Sequence, residues 1–203
     1  MASWETIDPM LPSVASRLQA KPLASCEAMA DSHPTTIKRP RESMGKNYWL
    51  MKSEPTTFSI DDLAAAPQQT TCWEGVRNYQ ARNLLRDEIQ EEDRVLYYHS
   101  ACPQPACVGT AVVVRGGYPD HHAWDPQHHY YDAKSTPEKP IWYMVDIRLE
   151  QRFAEPVTLA TLRQRPEFES LPLLRRGNRL SVQPVTKKAF DLIVKLGRGS
   201  GGK

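Results

Sequence analysis

Residues 106–115, Ala-Cys-Val-Gly-Thr-Ala-Val-Val-Val-Arg, form a nearly continuous run rich in β-branched side chains. Such a run favours a strand buried on both faces, so the rest of the fold has to cover it from above and below. The segments around it supply that cover. Arg94 to Ser100 reads as a neighbouring strand, with Pro103 and Pro105 marking the turn between the two. Tyr48 to Ser53 is an aromatic and apolar strand whose last residues turn polar before Glu54-Pro55 stops it. Farther on, Tyr143, Val145, Ile147 and Leu149 alternate with Met144, Asp146, Arg148 and Glu150, the period of a strand half covered by core. Leu180 to Val185 is strand-like as well. Helices are expected between these strands. Ser59 with Asp62 makes a capping-box pattern for a short helix that Pro67 ends. Asn78 caps a second, Thr158 a third through Leu162, and Glu167 to Arg175 forms another. Thr186 caps the last, whose stripe is Ala189, Phe190, Ile193, Val194 and Leu196, with Gly197 as its stop. Short strands with helices inserted between them predict an α+β domain around a curved sheet or small barrel.

The chain has 203 residues, with 26 Lys plus Arg against 24 Asp plus Glu, a net charge of +2. A protein so balanced is not an electrostatic coat for DNA; any hold on nucleic acid has to come from a local basic patch and specific contacts. No apolar run approaches a membrane span, and the N-terminus lacks a basic region followed by an apolar core, so an intracellular protein with no membrane partner is expected. Cys26, Cys72, Cys102 and Cys107 match neither a disulfide framework nor a usual zinc spacing and are expected as reduced thiols. Residues 1–45, rich in Ser, Pro, Ala and Thr and without periodicity, read as a disordered extension, 46–197 as the folded domain and 198–203 as a flexible tail. Within the extension, Lys38-Arg39-Pro40-Arg41 is compatible with a nuclear import signal, a phosphate-touching arm or a solvated linker. Met44 is a second position at which translation could start.

The candidate binding stretch is Trp73-Glu74-Gly75-Val76-Arg77-Asn78-Tyr79-Gln80-Ala81-Arg82-Asn83. It sets an aromatic, a glycine free to take unusual backbone angles, and Arg and Asn just ahead of a helical pattern, which is a loop entering a helix. Ala81, Leu84, Leu85 and Ile89 then recur at core-facing spacing, leaving Tyr79, Arg82, Asn83 and Arg86 on the other side. Trp49, Tyr97 and Trp142 are expected to be core. Arg175, Arg176 and Arg179 form a second basic cluster, open to reading as a backbone contact or as ordinary surface.

Taken together, Tyr48 to Pro55, the Trp73 to Asn83 block, Tyr97-Tyr98-His99-Ser100, Tyr118-Pro119-Asp120 and Leu180 to Val185 resemble the EVE domain, in order, over residues 46–197. The resemblance implies a PUA-like mixed β pseudobarrel with short flanking helices, a fold shared with YTH domains that read a methylated RNA base. It implies a reader of a modified nucleobase in nucleic acid rather than an enzyme: a modified cytosine in DNA by kinship with the eukaryotic members, or methyladenine in RNA by kinship with YTH domains. A base leaves its stack at a cost of a few kcal/mol, and one aromatic stack returns roughly 1–3 kcal/mol. Trp73 is the candidate stacking wall, as the corresponding YTH tryptophan belongs to an aromatic cage. Its replacement by Ala is expected to abolish base binding and leave the fold intact. Lys52, Ser53 and Glu54 at a strand end, with Asn78, would address the base edge, and Gly75, Val76 and Tyr79 complete the loop. Arg77 and Arg82 are placed for phosphate or for pinning the loop. Tyr98, His99 and Ser100 would close the pocket floor, with Tyr118 and Asp120 on the adjoining loop. A monomer is expected, associated with the nucleoid in a bacterial cell or nuclear in a eukaryotic one.

Two other readings stand beside this one. Asp120, His121, His122, Asp125, His128, His129 and Asp132 crowd four histidines and three carboxylates into one loop, residues 120–132, which would suit a metal-dependent nucleic-acid-processing enzyme. No pair there shows the helical spacing of a His-Glu-x-x-His site, and adjacent histidines on an extended chain point opposite ways. No catalytic residue, metal or cofactor is therefore assigned. A protein-interaction module offering a sheet edge is the third reading.

Overall fold

The computed structural model describes residues 46–199. The expected disordered extension, with Cys26, the Lys38 to Arg41 cluster and Met44, lies outside the described residues, as does the tail from Ser200 onward. In chain order the elements are β1 (Tyr48–Ser53), α1 (Ile60–Ala65), β2 (Thr70–Cys72), α2 (Tyr79–Asn83), β3 (Arg94–His99), β4 (Ala106–Pro119), β5 (Tyr143–Thr158), α3 (Leu159–Arg163), β6 (Val182–Pro184) and α4 (Lys187–Gly197). The strands form one six-stranded sheet in the order β2-β5-β4-β3-β1-β6. β1 runs parallel to β3, and the other neighbours are antiparallel. This mixed sheet with short helices is the PUA-like α+β fold that the resemblance implies.

β4 carries the opening run and lies between β3 and β5. As its composition requires, both of its faces are covered. Because side chains alternate along a strand, β1 and β3 divide the core in two. Trp49, Met51, Val95 and Tyr97 join Trp73, Ala81, Leu85, Val113 and Ile147 on one face. Leu50, Leu96, Tyr98 and Cys107 meet Leu162, Phe168, Phe190 and Ile193 on the other. Complete burial of Phe190 and Ile193 on α4 stabilises by roughly 1.5–3 kcal/mol each.

The caps form as expected. Ser59 and Asp62 make a full capping box on α1, and Asn78, Thr158 and Thr186 each accept a first-turn N–H of α2, α3 and α4. α2 runs on into a π-helical turn, Leu84–Glu88, that keeps Leu85 in the core.

Besides the added strand β2 and the extension of β4 to Pro119, the structure departs from the sequence expectations at four places. β5 does not end near Glu150 but continues to Thr158, held to β4 through register shifts that bend the pair; alternate residues beyond 150 are too polar to advertise a strand. Met144, expected on its polar side, is fully buried. Residues 167–175 form two 3-10 turns, Pro166–Phe168 and Pro172–Leu174, in place of a helix. Each turn opens on a proline, which lacks the N–H a continuing helix needs. Gly197 is not the stop of α4 but its last helical residue: a Cβ there would stand 2.3 Å from the Phe153 ring, and the left-handed position falls on Gly199, with φ of 73°.

Candidate functional site

The parallel pairing of β1 and β3 brings two polar C-terminal ends side by side, with Lys52 opposite Tyr98 and Ser53 opposite His99. The alternation that splits the core also splits these candidates. Ser53 and His99 face the Trp73 side. Ser53 Oγ donates to the Phe58 carbonyl at 2.6 Å, and Tyr97 Oη donates to the same oxygen at 3.0 Å. His99 Nε2 accepts the Ile60 N–H at 3.1 Å, satisfying a free donor in the first turn of α1. That bond needs a neutral ring, and burial lowers the pKa of His99 while Asp61 and Asp62 act against the shift.

Trp73 belongs to this face. Its backbone N–H donates to the Val145 carbonyl at 2.7 Å, extending the pairing of β2 with β5. Its ring stands edge-on to Tyr97 at 5.4 Å, and Tyr97 stands edge-on to His99 at 5.8 Å. Trp73 is only 8% exposed, so the expectation that an alanine here leaves the fold intact is corrected: removing a buried tryptophan costs about 3–5 kcal/mol. Gly75 follows with φ of 74°, and a Cβ on it would fall 2.4 Å from the Tyr130 ring. Only glycine permits both the turn and the close seat of that ring. Val76 is core. Asn78 spends its side-chain oxygen on the Ala81 N–H at 3.0 Å, which caps α2.

Arg77 and Asp120 hold the loop together. Asp120 is completely buried, and its carboxylate accepts from Arg77 Nη1 at 2.7 Å, the Gly75 N–H at 3.2 Å and the His122 N–H at 3.1 Å. Arg77 also donates through Nε to the Tyr130 carbonyl at 3.0 Å and lies over the Tyr130 and Trp142 rings. Arg82 bonds the Ile141 carbonyl and Asn83 and lies over Tyr79. Both arginines bond backbone carbonyls of the loop that follows Asp120. Tyr79 is 59% exposed, with its ring 5.0 Å from that of Trp142. Tyr118 donates to Asp146 from β4, and Glu54 is exposed, its carbonyl closing the turn to Thr57 and Phe58.

Lys52, Tyr98 and Ser100 face the other way, into a cavity of about 420 Å3 that is also lined by Arg163, Arg175 and Arg176. Burial lowers the Lys52 pKa and pushes the Tyr98 phenol up to about 12. The second basic cluster thus joins the β1 end through two of its arginines, while Arg163, at the end of α3, had no sequence signal beyond its charge. A larger cavity, of about 580 Å3, opens at the opposite end of β1, beside Lys46 and Lys187, and takes in none of the candidate residues.

Tyr130 is not singled out by the sequence, yet its ring seats on Gly75; Glu74, from the binding stretch, and His122, from the histidine loop, meet beside it. His122 Nε2 is 2.7 Å from Glu74 Oε2, and His128 Nε2 is 3.9 Å from Glu74 Oε1. The carboxylate beside it raises the His122 pKa. Among the described residues Cys72, Cys102 and Cys107 form no disulfide, and burial pushes the Cys107 thiol up to about 12. No described helix is long and apolar enough to cross a membrane.

Comparison with known proteins places these features in a family. The sequence profile of the EVE domain matches residues 47–196. Thymocyte nuclear protein 1 of Mus musculus is 43% identical over 178 residues, covering 80% of this chain and 78% of that protein. A crystal structure of a Pseudomonas syringae protein is 47% identical with a TM-score of 0.70, over 74% of this chain and 99% of that one. The crystal structure of human THYN1 protein in complex with 5-methylcytosine-containing DNA is 37% identical with a TM-score of 0.72, over 76% of this chain and 99% of that one.

Proposed function

This chain belongs to the EVE domain family, and on that footing we propose that it is a nucleic-acid-binding module that recognises a modified nucleobase, a modified cytosine in DNA above all, without catalysing a reaction. The observation that carries the proposal is the human relative, whose structure contains 5-methylcytosine DNA and aligns over 99% of its length. Kinship with thymocyte nuclear protein 1 also favours a nuclear location in a eukaryotic cell.

On this reading the base enters beside Trp73, between the Ser53 end of β1 and the Gly75 turn. Tyr130, seated on Gly75, swings aside to form the second wall. Trp73 supplies the aromatic wall of the pocket, backed from the core by Tyr97, and the phosphates follow the cavity lined by Lys52, Arg163, Arg175 and Arg176. The division of labour is the usual one: phosphate contacts position the strand and base contacts specify. An added methyl contributes on the order of 0.8 kcal/mol when buried, about a fourfold preference.

Matched oligonucleotides carrying cytosine, 5-methylcytosine, 5-hydroxymethylcytosine, adenine or N6-methyladenine, as DNA and as RNA, titrated at fixed salt, test this. A modified cytosine should bind about fourfold tighter than its parent or better. Trp73→Phe, which keeps the site filled, should reduce that ratio toward one, with the melting temperature followed alongside. Equal binding of all probes that fades with salt would leave only a basic patch and overturn the proposal.

A further inference from the structure

Three side chains converge behind the segment that carries Trp73. Cys72 and Glu74 are two positions apart on extended chain, so they face one way while Trp73 between them faces the core. Across from them stands His122, on the 3-10 turn that Asp120 caps. A Cys72 Sγ, a Glu74 carboxylate oxygen and a His122 ring nitrogen all lie within 4.8 Å of one another, and all three residues are half-buried. Glu74 Oε2 is sealed from solvent and lies 2.7 Å from His122 Nε2. We propose that Cys72, Glu74 and His122 form a binding site for one thiophilic divalent cation of the zinc type, which clamps β2 to the histidine turn.

The donor set and the geometry point the same way. Thiolate, carboxylate and imidazole are ligands for zinc, and tetrahedral bonds of about 2.0–2.3 Å put ligand atoms about 3.3–3.8 Å apart. The side-chain ends need to shift by about an ångström or less to reach that spacing. A thiolate, a carboxylate and a neutral imidazole also balance a divalent charge, as a partly buried site requires. The scaffold is fixed on both sides. Cys72 pairs with Asp146 across the sheet, and the Trp73 N–H is bonded to Val145. The His122 turn hangs from Asp120, which also holds Gly75 and Arg77. His128 is not a fourth ligand as it stands: its Nδ1 accepts the Tyr130 N–H at 3.2 Å, and its Nε2 is 3.9 Å from Glu74 Oε1. With three protein ligands, the fourth position belongs to solvent.

A cation here would brace the Trp73 segment against the loop that presents Tyr130. Metal binding itself is independent of the proposed reader function; only its effect on base binding rests on that reading. The full chain, stripped with a chelator, is titrated with Zn2+ against a chromophoric competitor in the absence of nucleic acid, and with Co2+ as a spectroscopic probe. The expected result is one ion per chain, a thiolate charge-transfer band with Co2+, and a higher melting temperature in Zn2+. Cys72→Ser and His122→Ala should each weaken binding by about 100-fold, and His129→Ala, on an exposed neighbour, should leave it unchanged. Circular dichroism and melting of the metal-free variants separate lost ligation from lost folding. Sub-stoichiometric binding, or binding that Cys72→Ser does not weaken in a folded variant, overturns the site. A base titration with and without Zn2+ then reads the coupling: with metal bound at Cys72, a flat response to every oligonucleotide counts against the reader function and leaves the site standing.

Discussion

Asp120→Ala removes the centre of the loop network, and its cost can be worked from the geometry. The carboxylate is fully buried and faces Arg77, whose side chain is 23% exposed, at 2.7 Å. Taking away one partner of a buried pair costs about 3–5 kcal/mol, because the other charge stays behind uncompensated. Arg77 keeps its bonds to the Tyr130 carbonyl and part of its solvent, which moves the cost toward the lower end, about 3 kcal/mol. The Gly75 N–H, bonded at 3.2 Å, is orphaned as well, adding about 1 kcal/mol. A loss of about 3–4 kcal/mol in a domain of this size corresponds to a fall in melting temperature on the order of 10 °C. Urea unfolding of the wild type, Asp120→Ala, Arg77→Ala and the double variant measures it directly, with constant m-values confirming the same transition. The double-mutant cycle should show a coupling of about 1 kcal/mol or more. A loss below about 1 kcal/mol for Asp120→Ala, or additive single costs, would refute the view that this pair holds the loop.

Other perturbations have equally definite outcomes. His99 titrates below its ordinary value of 6.5 in the fold, chiefly through burial. Its contribution to stability is therefore complete above about pH 6.5 and is lost as pH falls through the lowered folded pKa. Urea unfolding between pH 7.5 and pH 5, ~the range of histidine titration, should show the wild type losing more stability in acid than His99→Gln, whose amide oxygen can still accept from Ile60; parallel curves would remove His99 as the cause. Gly197→Ala drives a methyl to 2.3 Å from the Phe153 ring and should cost about 1–3 kcal/mol, whereas Gly199→Ala, strained by its positive φ and set 3.3 Å from the flexible Glu155 carboxylate, should cost about 1–2 kcal/mol; thermal melts decide, and a neutral Gly197→Ala would mean that α4 packs loosely against Phe153. Lys52→Gln should weaken every oligonucleotide alike and lower the salt slope by about one, and a change confined to one base would move Lys52 from phosphate to base contact.

What the sequence determined by itself is what short-range chemistry decides. Ser59, Asn78, Thr158 and Thr186 cap helices because a side-chain oxygen reaches an N–H two or three residues away, whatever the rest of the chain does. The run 106–115 became a central strand because its composition tolerates no exposed face, and the ordered motifs from Tyr48 to Val185 were specific enough to identify the family. Tertiary structure decided what depends on register and on meetings far along the chain. Strand alternation sends Lys52 and Ser53, or Tyr98 and His99, to opposite faces, but only the parallel register of β1 and β3 sets Lys52 beside Tyr98 and Ser53 beside His99. β5 ran past its own hydrophobic pattern because β4 offered it hydrogen-bond partners. Trp73 turned inward to Tyr97 while Cys72 and Glu74, on either side of it, met His122 from another loop. No local pattern records such a meeting, since its energy comes from atoms that the fold alone brings within reach.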